Sequence, residues 1–453
     1  MATGTLDRAA PTTDAPRRGI QSVLLRLHFY AGILVAPFLL VAAVTGLLYT
    51  VAPQIDRVAY GELLHAESGP ARPLVDQVAA AQAAHPGLAV TAIDVHDGRT
   101  AVTFADPSLA DDRERTAYVD PTSATVKGSL VTWFGSTPAV TWLDDLHRNL
   151  HLGALGRNYS EIAASWLGVV ALGGVVLWVR QRRERRRHLV VPQLSARGRR
   201  RVISLHGTTG LVLVLGLLFL SATGLTWSRY AGAHFQDALT ALDATAPELA
   251  TGLPDGSARS IDLRDADRVL AGARAAGLTG PVELTPSDTA WTVAQTDKTW
   301  PVHLDSAAVD PSTGAATAYR AWDDRPLLSK LSSLGVNAHM GVLFGPVNQV
   351  VLAAVAIGLI LLIVWGYRAW WLRRPRRAER QRSARVGRPP QRGAWRGVRP
   401  GALAVIVAVT LAVAWAVPWW GWTLLGFLVV DALAGVRART GSVRADGTSR
   451  RNP

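Results

Sequence analysis

The chain has 453 residues, 49% hydrophobic and 18% charged, and its apolar residues gather in a few long blocks, which excludes an ordinary soluble protein. The formal net charge of +14 comes from arginine-rich runs beside those blocks, so it reads as membrane topology and contact with anionic lipid, with no nucleic-acid partner. The absence of cysteine excludes disulfides, iron–sulfur clusters, thiolate metal sites and covalent c-type haem. With methionine only at Met1 and Met340, any metal must rest mostly on histidine or carboxylate.

Residues 1–27 carry Arg17, Arg18 and Arg26 and are expected on the cytoplasmic side. About 20 apolar residues cross a hydrocarbon core of roughly 30 Å. The first such run, in 28–52, is too long for a cleavable signal and reads as a signal anchor. Residues 53–145 are expected outside as a small α+β domain. Helical spacing runs from Pro73 to His85, strand alternation marks Val90 to Val95 and Thr100 to Phe104, and Asp120-Pro121 leads into a turn near Ser123. Residues 146–180 hold an interfacial segment with His147 and His151 and then the second span, closed by Arg180; 181–202 is a basic cytoplasmic loop.

The third span falls in 203–228, followed by a second outer α+β domain in 229–334. There Asp265 to Ala275 reads as helix, Trp291 to Gln295 and Val302 to Leu304 as strands, and Asp310-Pro311 opens the same turn. Residues 335–367 hold His339 and the fourth span, 368–400 is basic, 401–435 forms a hydrophobic hairpin turning at Pro418 to Trp422, and 436–453 is a cytoplasmic tail. The expected fold is an all-α polytopic membrane bundle of four core spans plus that hairpin, carrying two extracytoplasmic α+β domains, in the plasma membrane.

An internal repeat organises the histidines. His28 leads to Thr45-Gly46-Leu47 and His206 to Thr223-Gly224-Leu225 at one offset of 178 residues. His151-Leu152-Gly153 precedes the second span and His339-Met340-Gly341 the fourth, with Arg180 and Arg368 equally far downstream. The duplication is parallel, so equivalent residues face each other across the bundle. Histidine near a span is costly to bury without a partner, and two facing imidazoles in a four-helix bundle are what a b-type haem requires.

His28 with His206 forms the expected cytoplasmic-side pair. On the outer side His147 and His151 stand four apart on one helix face, so one of them pairs with His339 and the other is free or serves another site. One or two haem b groups are expected. A mononuclear copper or zinc site at His147 and His151 is the alternative. Thr45-Gly46 and Thr223-Gly224 read as small-residue helix packing, and the tryptophans at 365–371 and 415–422 as interfacial anchors. His65, His85, His96, His188, His234 and His303 read as surface residues.

The helix, the strands and the Val-Asp-Pro turns resemble PepSY domains. The span pattern His-x-x-x-Gly followed by Thr-Gly, with Leu146-His147-Arg148-x-Leu150 and His339-x-Gly341 ahead of the even spans, resembles the PepSY-associated transmembrane family over about residues 20 to 375. The resemblance implies an iron-regulated inner-membrane protein or a haem-containing ferric-siderophore reductase. The expected function is one-electron transfer to an extracytoplasmic ferric siderophore, with no catalytic side chain beyond the ligands.

No dinucleotide fingerprint is present and the cytoplasmic segments are short and basic, so the donor is membrane quinol or a soluble cytoplasmic reductase. Two rivals stand beside this reading. One is a non-enzymatic PepSY scaffold that regulates an extracytoplasmic protein. The other is an iron or copper transporter, for which the spans offer little polar lining beyond Thr45, Ser165, Thr209, Ser221 and Thr223. The oligomeric state is open, a dimer included.

Overall fold

A computed structural model describes residues 15–65, 69–96, 98–182, 186–253, 256, 261–373 and 398–449. Most of the expected basic segment at 368–400 lies outside the described residues, as do parts of the N-terminal segment, the 181–202 loop and the tail. The elements are, in order, α1 (Ala15–Leu34), α2 (Ala36–Tyr49), α3 (Ala52–Leu64), α4 (Leu74–Ala84), β1 (Ala89–His96), β2 (Arg99–Ala105), β3 (Glu114–Asp120) and β4 (Thr125–Thr132). Then come α5 (Pro138–Asn149), α6 (Gly153–Gln181), α7 (Arg187–Val190), α8 (Arg199–Thr226), α9 (Ala231–Ala241), α10 (Ala266–Ala275), β5 (Val282–Thr285) and β6 (Trp291–Gln295). The chain finishes with β7 (Ser306–Val309), β8 (Ala316–Arg320), α11 (Leu327–His339), α12 (Gly345–Trp371), α13 (Pro400–Ala416) and α14 (Pro418–Ser449). Two compact units result. One comprises Met1–Val44, Arg157–Phe235 and Val355–Pro453, the other Thr45–Gly156 and Gln236–Ala354.

The first unit is helical. Among the described residues α6, α8, α12 and Pro418–Val436 are each long and apolar enough to cross a membrane, and α1 with α2 qualifies as one span bent by 57°. The bend falls inside the first apolar run, and its cause is local. Pro37 has no N–H to give the Ile33 carbonyl, and the Tyr367 hydroxyl donates to that oxygen at 2.9 Å instead. Leu39, Ala43, Trp166, Leu217, Leu359 and Ile363 fill the centre of the unit.

Glycine sets how closely the helices approach. A Cβ at Gly168 would lie 2.8 Å from the Ser221 hydroxyl, which itself donates to the Ala164 carbonyl at 2.7 Å. The C-terminal helices belong to the same unit, broken from each other at Val417. A Cβ on Gly421 would stand 2.8 Å from that of Ala414. Trp420 is buried against Trp166, whose indole N–H donates to Thr423 Oγ1 at 2.8 Å. Trp420 is therefore core, which corrects its reading as an interfacial anchor.

The second unit corrects the expectation of two separate domains. Both repeats build one antiparallel sheet in the order β4-β3-β2-β1-β5-β6-β7-β8, joined where Ile93 faces Leu284 and Val95 faces Val282. Pairing β1 with β5 hides an edge that each half would otherwise leave open. Helices α4 and α10 cover one face, where Leu74, Val78, Ala266 and Val269 pack on Ile93, Val102, Phe104, Leu284, Trp291 and Val293. The Asp267 carboxylate of α10 accepts from the Leu74 and Val75 amides at 2.7 and 2.9 Å, satisfying two first-turn donors of α4.

The two Asp-Pro turns form as expected, with Asp120 Oδ1 accepting from Thr122 N and Asp310 Oδ1 from Ser312 N, both at 2.8 Å. Val302 to Leu304 is not a strand. It contributes only an isolated bridge between His303 and Asp297, and pairing resumes at Ser306.

Candidate functional site

In the helical unit, α1 and α8 bring His28 and His206 together with ring centroids 6.2 Å apart and planes at 75°. Each ring is oriented by an even-numbered span helix. His28 Nδ1 donates to the Val170 carbonyl at 3.1 Å, and His206 Nδ1 to the Leu362 carbonyl at 2.9 Å. A carbonyl only accepts, so Nδ1 carries the proton and a neutral ring keeps its lone pair on Nε2, the second-shell arrangement of metal-ligating imidazoles.

Glycine makes those carbonyls reachable. Four residues beyond Val170 and Leu362 stand Gly174 and Gly366, on the same helix faces. A Cβ at Gly174 would lie 3.0 Å from His28 Cε1, and one at Gly366 would lie 3.7 Å from His206 Cε1.

In the second unit, α5 and α11 bring His147 and His339 together at 6.3 Å and 43°. Thr45 Oγ1 is hydrogen-bonded to His147 Nδ1 at 3.0 Å, and a Cβ on Gly46 would stand 3.0 Å from His147 Cε1. Thr45-Gly46 therefore seats an imidazole, a more specific role than the helix packing expected of it. Burial lowers both pKa values to about 4, with the neighbouring His147 lowering His339 further. Both rings are thus neutral at pH 7, the form that ligates metal.

A polar cluster holds the end of α5. Asp145 accepts from Arg113 and Arg148 at 3.1 Å each and from Asn149 Nδ2 at 2.8 Å, and the Arg148 guanidinium lies 4.6 Å from the centre of the Trp133 ring.

His151 does not share a helix face with His147. Helix α5 ends at Asn149, and Leu150 and His151 take left-handed backbone angles, φ 54° and 56°. His151 is exposed, with its ring 5.0 Å from that of Trp142. The pair of i,i+4 ligands behind the copper or zinc alternative is thereby undone. Among the described residues no group of three or more His, Cys, Asp or Glu side chains is placed to hold a metal ion.

The facing pairs suit haem. Two imidazoles on opposite sides of one metal ion, each bonded at about 2.0 Å with its nitrogen about 1.1 Å from the ring centre, have centroids about 6.2 Å apart. Both pairs have that spacing. Two histidines fall short of the three or four protein ligands a bare zinc or copper ion takes, but they complete an iron whose other four donors come from a macrocycle.

Three contacts escaped the sequence reading. Glu161 is 1% exposed on α6 and accepts from the Tyr230 and Ala231 amides at 3.0 and 3.1 Å, so it caps α9. His234, read as a surface residue, stacks on Trp415 at 5.2 Å. Arg26 of α1 is ion-paired with Asp431 of α14. A carboxylate within or just ahead of an apolar run was the available signal in the two acidic cases.

No curated protein matches the chain. The family model described as the PepSY-associated TM region matches residues 25–373, which take in all four facing histidines and the whole eight-stranded sheet. With its apolar helices, the chain is a multi-pass membrane protein and belongs to the PepSY-associated transmembrane family.

Proposed function

We propose that this protein is a membrane b-type cytochrome that passes electrons, one at a time, to an extracytoplasmic acceptor, with a ferric siderophore as that acceptor. The observation that carries the reading is the recurrence of one geometry, facing imidazoles at 6.2 and 6.3 Å, at two places in a cysteine-free chain. Haem would supply the reversible one-electron carrier. His28, His206, His147 and His339 would hold it, while the Val170 and Leu362 carbonyls and Thr45 fix ring orientation.

The arginine-rich flanks support a cytoplasmic N-terminus in the plasma membrane, with the His28–His206 pair inward and the His147–His339 pair outward. Electrons would enter from quinol or a soluble reductase on the inner side. Reduction of the external chelate to Fe(II) would weaken its hold by hard oxygen ligands.

The test uses sealed vesicles that contain ascorbate, with a ferric siderophore and a colorimetric Fe(II) trap outside. Vesicles with the wild-type protein are expected to develop colour, and those with His206→Ala or His339→Ala to match protein-free vesicles. Equal rates in wild type and both variants would remove the function.

A further inference from the structure

The helices α13 and α14 lie beyond the family match, which ends at residue 373, yet they are tied to the rest of the helical unit at successive points. His234 Nδ1 donates to the Ala416 carbonyl at 3.3 Å and stacks on Trp415 with planes 9° apart, at the break between the two helices. Further along α14, Thr423 accepts from Trp166, and Phe427 packs on Tyr30 at 5.3 Å. One turn later Asp431 meets Arg26, whose guanidinium also lies 5.1 Å from the centre of the Tyr30 ring.

The last tie is chemically out of place for a packing contact. The side chains of Arg26 and Asp431 are only 10% and 27% exposed, and both sit on helices apolar enough to cross the membrane. Such a pair is costly to desolvate and adds little to stability over apolar residues of similar size. Arg26 precedes His28 by two residues on α1.

Resting on the haem reading above, we propose that the C-terminal hairpin is a built-in tuning element for the His28–His206 site. Asp431 is a positioning residue. Through Arg26 it holds the segment of α1 that carries His28, and its negative charge lowers the positive potential that Arg26 sets at the iron. The sign follows from Coulomb's law. Removing the Asp431 carboxylate adds net positive charge near the site, favours the reduced iron, which carries one positive charge fewer, and so raises the midpoint potential; removing the Arg26 guanidinium lowers it.

The experiment is a spectroscopic redox titration of the purified full-length protein, with haem content measured alongside. Asp431→Asn is expected to raise the potential of the His28–His206 site, Arg26→Gln to lower it, and the double variant to return near wild type. Asp431→Glu should rescue the wild-type value, which mere helix packing would not require. The His147–His339 site, distinguished by repeating each titration in His28→Ala, should not move.

If Asp431→Asn fails to fold, the difference between Arg26→Gln and the double variant carries the same sign test. Full haem content with unchanged potentials in every variant overturns the tuning role and leaves the cytochrome reading standing. A wild-type protein without haem overturns both.

Discussion

On the cytochrome reading, replacing His28 or His206 by alanine is expected to cost the purified protein about half of its haem, and replacing His147 or His339 to cost the other half, because a haem that loses one axial histidine keeps a single bond to the protein. His28→Ala combined with His339→Ala should remove all of it. His151→Ala should leave the content at the wild-type value, since that ring is exposed beside Trp142 and turned away from the pair by the left-handed backbone at Leu150 and His151. Haem per protein, measured for each variant, checks the assignment; a loss in His151→Ala with none in His147→Ala would reverse it.

A second large effect is expected where no ligand is touched. Gly46→Leu should empty the His147–His339 site and Gly174→Leu the His28–His206 site, although every histidine remains. A Cβ at either position already stands 3.0 Å from an imidazole carbon, so the remaining three carbons of leucine have nowhere to go unless the ring leaves its Nδ1 partner. Gly366→Ala is the control, because its Cβ would meet His206 at an ordinary 3.7 Å. Absorption spectra should show the lost component in the two leucine variants and wild-type bands in Gly366→Ala.

The sequence revealed the spans because membrane crossing needs length and apolarity, both visible in one dimension. It revealed His28 and His206 because a repeat at one offset marked them. The other pair was obscured by the same device. An offset of 188 aligns His151 with His339 and sets His147 opposite Gly335, so the repeat pairs His339 with His151, whereas the ring that faces it is that of His147. What decides the matter is a short turn, Leu150 to Gly153, whose left-handed angles carry no periodicity.

The joining of the two α+β halves was equally hidden. The contact of β1 with β5 links residues near 94 and 283, and nothing local in Ile93 or Leu284 names a partner so far along the chain. Pro37 and Glu161 were legible in principle. The first marks the bend of α1 with α2; the second sits just ahead of the apolar run that defined the second span.

The most direct test of the cytochrome reading is a pyridine haemochrome spectrum of the wild-type protein purified from haem-replete cells, before and after acid-acetone extraction. The account predicts about two haem b groups per chain, all extractable, because the chain has no cysteine to bind them covalently. A colourless preparation, or pigment that stays with the protein after extraction, would contradict it.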